Sequence, residues 1–185
     1  MKNDSQLGFA LLGLMHQQPM SGYDLRKIFT STAMGSFSDS PGAIYPALKR
    51  LEAGGLARGT VEESASLRKR RVFTITAKGL AALKGWLNQP VTQDDVVRGK
   101  DDLMLRFAFM DRTVGEERTL QFLGEFAQQI AAYLPGLQQF LDAHASEMPL
   151  SGRLALECGI QEYAMQLQWA RKAVALYEQR KGKQG

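Results

Sequence analysis

The chain has 185 residues, 44% apolar and 23% charged, which excludes wholesale disorder and suits one sizeable core or two small domains. A single cysteine, Cys158, excludes an internal disulfide framework and every multi-cysteine zinc pattern, and His16 and His144 alone make a poor metal site. The net charge of +4 is uneven: residues 1–89 carry 12 basic and 6 acidic side chains (+6), residues 90–185 carry 11 and 13 (−2), so a polyanion is expected to meet the first half.

Leu7, Ala10, Leu11 and Leu14 recur at helical spacing and predict a helix over 5–17, which Pro19 ends. Ser21 and Asp24 fit a capping box that opens a second helix, with Leu25, Ile28 and Phe29 as its apolar stripe, to about residue 31. The small polar residues over 30–40 read as a loop. Ser40–Pro41 then supplies a cap and a first-turn proline for a third helix. Ile44, Leu48 and Leu51 turn one face of that helix into a core, so Tyr45, Lys49 and Arg50 point elsewhere, and Gly54–Gly55 stops it.

Extended runs over 56–61 and 70–76 predict a β-hairpin whose returning arm begins with Arg68, Lys69, Arg70 and Arg71. Thr76 caps a fourth helix carrying Leu80, Leu83 and Leu87, with Trp86 beside the stripe. Residues 90–99, with Pro90, read as a linker. Leu103, Phe107 and Met110 stripe the next helix, behind Asp101 and Asp102, and Thr113 with Glu116 reads as a further capping box.

Two heptad seams follow. Leu120, Leu123, Ala127, Ile130, Leu134, Leu137 and Leu141 form the first, kinked rather than broken at Pro135. Leu156, Ile160, Tyr163, Leu167, Ala170, Val174 and Tyr177 form the second. The short break at Met148, Pro149 and Ser151 predicts an antiparallel helical hairpin.

Three helices, a hairpin and a fourth helix within about ninety residues is the element order of a winged helix-turn-helix. An exposed helix face bearing Tyr45, Lys49 and Arg50 fits a DNA major groove, the arm 68–71 would follow phosphates, and Ser38 and Ser40 at the helix entry could take one. The fold class expected is therefore mainly α: a winged helix-turn-helix at 1–89, a linker at 90–99, and an all-α domain with two long antiparallel helices at 100–185, serving dimerisation and a candidate effector.

The first half resembles the PadR family of bacterial transcription regulators, named for phenolic-acid response. The matching stretches are 7–14 (Leu-Gly-Phe-Ala-Leu-Leu-Gly-Leu), 21–25 (Ser-Gly-Tyr-Asp-Leu), 42–56 with its Ile-Tyr-Pro-x-Leu-x-Arg-Leu-Glu string, and 74–79 (Thr-Ile-Thr-Ala-Lys-Gly). More loosely, 100–103 and 156–160 leading to Trp169 resemble the helical C-terminal domain of the longer branch. The chain departs from the family at Phe73, where an aromatic hydroxyl is common, and at 62–67, where Glu62 and Glu63 replace a Gly/Pro-rich tip. The resemblance implies a homodimer and repression relieved by a small-molecule effector, phenolic or otherwise aromatic; two paired recognition helices would read a palindromic double-stranded operator. The residues themselves offer no catalytic constellation, cofactor motif, metal spacing or membrane span, and a cytoplasmic location is expected.

On this reading the DNA contacts are Ser21 and Tyr23, then Ser38, Ser40 and Gly42, then Tyr45, Lys49 and Arg50, then Arg68, Lys69, Arg70 and Arg71. Burial with a satisfied hydroxyl is the competing reading for Tyr45, mere solvation for Lys49 and Arg50, and protection of a strand edge for the arm. Leu156, Ile160, Tyr163, Leu167, Val174 and Tyr177 are the dimerisation candidates. Trp86 and Trp169 are effector candidates because flat aromatic ligands stack on indoles, although core or interface burial is the more common fate of each. No Gly-rich phosphate loop or Ser/His/Asp set is present, and the apolar run 7–15 is too short to span a bilayer. The competing function is the same winged fold used as a protein-interaction module through its helical half, without operator binding. The modest charge and the acidic tip motivate it.

Overall fold

Helix α1 (Lys2–Gln17) buries Leu7, Ala10, Leu11 and Leu14 as its spacing requires, and Leu12 and Met15 as well. Apolar on most of its circumference, it packs against α3 (Pro41–Ala53), α4 (Ala77–Leu87) and the sheet. The computed structural model describes residues 2–32, 41–63 and 69–182. Within them the chain divides into two compact units, Met1–Gln89 and Pro90–Gly185.

In the first unit, α2 (Gly22–Ser31) opens with the capping box read from the sequence. The Asp24 N–H donates to Ser21 Oγ, and the Ser21 N–H donates to Asp24 Oδ2. Leu25 and Phe29 of α2 and Ile44 and Leu48 of α3 are core residues, all at 1% exposure or less, and the two helices pack together. Burying such a side chain is worth about 1.5–3 kcal/mol before conformational entropy is charged against it.

The sheet holds one strand more than the hairpin expected. Strands β2 (Ala57–Glu63) and β3 (Lys69–Ile75) pair antiparallel with Gly59 opposite Phe73, and β1 (Met20–Ser21) pairs with the other edge of β3, giving the order β1-β3-β2. Thr76 ties the sheet to the helices. Its hydroxyl accepts the Gly79 N–H that opens α4 and donates to the Gly55 carbonyl just beyond α3.

The second unit corrects two expectations. The segment 90–99 is no mere linker: Thr92 and Asp95 form a capping box at the start of α5 (Gln93–Arg98), Val91 and Val96 are buried, and the Val91 N–H donates to Glu125. Thr113 does not cap the following helix either. It is buried in the last turn of α6 (Lys100–Val114), and Gly115, at φ 85°, joins α6 directly to α7 (Glu116–His144) with no side-chain cap. The left-handed φ there suits a residue without Cβ.

Helix α7 runs unbroken through an exposed Pro135 and packs along α8 (Leu150–Gly182) as the antiparallel partner expected. Leu123, Ile130 and Leu141 of its seam are buried, and Phe122 and Phe126 widen the buried face, Phe122 toward Phe107 of α6 and Phe126 toward Trp169 of α8. Arg106 of α6 is also interior, 2% exposed, with its guanidinium carbon 5.1 Å from the Phe122 ring centroid. Burial pushes that guanidinium below its ordinary pKa, and the Asp102 carboxylate pulls the other way. The architecture is mainly α, a winged helix-turn-helix unit and an all-α unit. Among the described residues no helix is long and apolar enough to cross a membrane.

Candidate nucleic-acid interface

Helix α3 presents a polar face because its apolar residues are spent inward. Ile44, Ala47 and Leu48 are at 2% exposure or less, while Tyr45 is 47% exposed and Gly42, Lys49 and Arg50 are exposed. Tyr45 and Lys49 lie four residues apart, one turn along the same side. Around them lie Tyr23 at the start of α2, 67% exposed, and Arg70 and Arg71 on β3. Ser21, Gly22, Leu48 and Phe73 complete a concave surface of about 290 Å³ lined by all of these residues. Six of the predicted DNA contacts, Ser21, Tyr23, Tyr45, Lys49, Arg70 and Arg71, thus line one groove.

Two carboxylates set its electrostatics. Asp24 takes the Ser21 hydroxyl at 2.6 Å and faces Arg70 Nη1 at 3.9 Å. The Ser21 hydrogen bond is the chief force holding the Asp24 carboxyl below the usual carboxylate value, burial opposes it, and Arg70 assists. Glu52, in the last turn of α3, takes Arg71 Nη2 at 2.7 Å on both of its oxygens and the Gly59 N–H at 3.1 Å. Arg71, expected at phosphate, is ion-paired in the free chain: its guanidinium binds Glu52 and lies over Phe73, 5.4 Å from the ring centroid. Ser21 is buried as a helix cap, so its hydroxyl is committed to Asp24. Ser38, Ser40 and Arg68 lie outside the described residues, and of Lys69 only the backbone is described.

Residues 11–85 match the model of the transcriptional regulator PadR-like family, and residues 99–178 match that of the virulence activator alpha C-term domain. The chain is similar over its first half to the PadR-like family. Its second match fits the longer branch of that family, with a helical C-terminal domain, and PadR-like proteins are transcriptional regulators rather than enzymes. The negative transcriptional regulator PadR of Bacillus subtilis (strain 168) is 28% identical over 149 residues, 78% of this chain and 80% of the relative. A crystal structure of Bacillus subtilis PadR in complex with operator DNA is 24% identical, covers 92% of this chain and 98% of that one, and superposes with a TM-score of 0.43. One in complex with p-coumaric acid is 22% identical, covers 95% and 97%, and has a TM-score of 0.40.

The effector and dimer candidates fare unequally in this PadR-like chain. Trp86 is 7% exposed and stacks on Phe9, with ring centroids 4.7 Å apart and planes within 1°, so a neighbour from its own core already occupies its face. Trp169 is 37% exposed and lines an apolar cavity of about 340 Å³ with Lys100, Met104, Phe126, Met165 and Gln166. Of the dimer seam, Ile160 is buried, Tyr163 packs edge-on to Tyr133 at 5.3 Å, and the Tyr177 hydroxyl donates to Asp111 at 2.8 Å. Those side chains make their contacts inside the chain. The apolar residues that α8 leaves exposed are others: Leu150, Leu154, Met165, Trp169 and Leu176.

Proposed function

We propose that this PadR-like protein is a homodimeric repressor that reads a palindromic operator through α3 and is released by a small aromatic effector. The observation that carries the DNA reading is the exposed Tyr45–Lys49 face, flanked by Tyr23 and Arg70, on a unit of net charge +6. A helix about 10–12 Å across fits a major groove about 12 Å wide. Gly42 and Arg50 are exposed on α3 as well. Ser38, Ser40, Arg68 and Lys69 extend the contact along the backbone on this reading. The negative regulator of Bacillus subtilis supports repression as the sign of control.

The exposed stripe of α8 supports a second copy as partner. Two α3 helices, one from each protomer, then meet half-sites about 34 Å apart. The cavity beside Trp169 supports an apolar, flat effector, whose release of the operator requires unequal affinity for the bound and free arrangements.

The deciding experiment is retardation of the DNA upstream of the protein's own gene, with random duplex as competitor. A retarded band that survives competitor supports the reading. Loss of the band at the same competitor concentration as any other fragment overturns it and leaves the interaction-module alternative. Lys49→Ala is expected to lower the salt slope of binding by about 0.9.

A further inference from the structure

Glu52 and Arg71 form the closest ion pair at the groove, yet stability is a weak reason for it. Their side chains are 30% and 50% exposed, and exposed pairs contribute about 0–1 kcal/mol. The pair has another consequence. Arg71 lines the groove beside Lys49 and Arg70, so an unpaired guanidinium there would face any polyanion that enters. With both Glu52 oxygens at 2.7 Å from Nη2, its charge is cancelled at the surface. Because Glu52 also accepts the Gly59 N–H from β2, the same carboxylate joins the end of α3 to both strands of the hairpin.

We infer that Glu52 is a specificity-determining residue: it withholds Arg71 from phosphate, keeping sequence-independent affinity low while registering the hairpin against α3. This rests on the DNA-binding reading above. The physical basis is that non-specific affinity comes almost wholly from phosphate neutralisation, whereas base-edge contacts carry selectivity. A cation that binds every duplex equally raises competition from the wrong sequences without improving the right one.

The test is the salt dependence of binding to a random-sequence 30-base-pair duplex, followed by fluorescence anisotropy. Glu52→Gln is nearly isosteric, keeps an acceptor for Gly59, and frees Arg71. Its log–log slope is expected to steepen by about 0.9, with affinity in low salt rising several-fold. Arg71→Gln is expected to leave the wild-type slope unchanged, because the charge it removes was already cancelled. The double variant is expected to return to the wild-type slope. A merely structural role moves thermal stability but not these slopes.

A Glu52→Gln slope equal to wild type overturns the inference while the DNA reading stands. Were Glu52→Gln to misfold, a drop of about 0.9 in the Arg71→Gln slope would overturn it instead, by showing that Arg71 already binds phosphate. A wild-type protein that binds no duplex in low salt fails the DNA reading itself, and the inference with it.

Discussion

Tyr45 stands on Gly22: a Cβ added at Gly22 would lie 2.7 Å from Tyr45 Cε1 and 3.3 Å from its Cζ. The first residue of α2 is thus the floor on which the most prominent side chain of α3 rests. The obstacle is the far end of a half-exposed ring, which can swing away, so Gly22→Ala is expected to cost less than about 1 kcal/mol of stability. It is expected to weaken duplex binding several-fold by turning the ring out of its groove. In a Tyr45→Ala background the same change is expected to cost no further affinity, and this double-mutant cycle is the check. Equal losses in both backgrounds would mean that Gly22 acts on something other than Tyr45.

Gly79 is a harder constraint. A Cβ there would lie 2.0 Å from the Leu56 carbonyl oxygen and 2.9 Å from its carbon, both backbone atoms held by the Thr76 junction. Nothing flexible can yield, so Gly79→Ala is expected to destabilise the first unit by at least about 2 kcal/mol, although alanine is the better helix former. Chemical denaturation followed by Trp86 fluorescence reads that unit. A midpoint unchanged from wild type would contradict the contact.

Much of the fold is legible in the sequence because helices announce themselves by spacing and caps. Ile44 and Leu48 claim the core, so Tyr45 and Lys49 had to face outward, and the structure agrees. What spacing cannot show is pairing across long separations. Arg71 reads as one more cation of a basic arm until Glu52, 19 residues away, appears beside it. β1 has two residues, too few for any period, and exists because Met20 and Ser21 find Phe73 and Val72 opposite them. The Thr92–Asp95 box has a sequence signature, but the preceding Pro90 reads as a linker residue and masks it. Arg106 defeats the rule that arginines face water because a ring and a carboxylate receive it inside.

The Tyr177 hydroxyl gives the second unit an alkaline limit. Burial chiefly, and then its hydrogen bond to Asp111, push its pKa to about 12 from an ordinary value of 10.0. The folded state therefore holds this proton more tightly than the unfolded chain. Its contribution is complete below pH about 10 and is lost as pH rises through the folded value. Stability is expected to fall between pH about 10 and about 12 more steeply in wild type than in Tyr177→Phe, which has no proton to lose there. Parallel curves of midpoint against pH for the two proteins would remove the bond from the account.

The exposed residues of α8 follow a different period from those facing α7. Leu154, Met165 and Leu176 are 11 residues apart, whereas the inward seam repeats at seven. An 11-residue repeat is about 3.67 residues per turn, close to a straight helix, so this stripe stays on one side over the full length. Two apolar sides on one helix explain why a heptad search finds the intramolecular seam first and assigns the partner to it. A second copy bound through the outer stripe predicts that Leu154→Lys with Leu176→Lys gives a monomer by sedimentation, with helical circular dichroism preserved, because neither side chain supports the chain's own core. Replacing Ile160 by Lys instead is expected to cost helicity as well as association, since Ile160 is 9% exposed. A Leu154→Lys, Leu176→Lys protein that sediments as the wild type would place the subunit contact elsewhere.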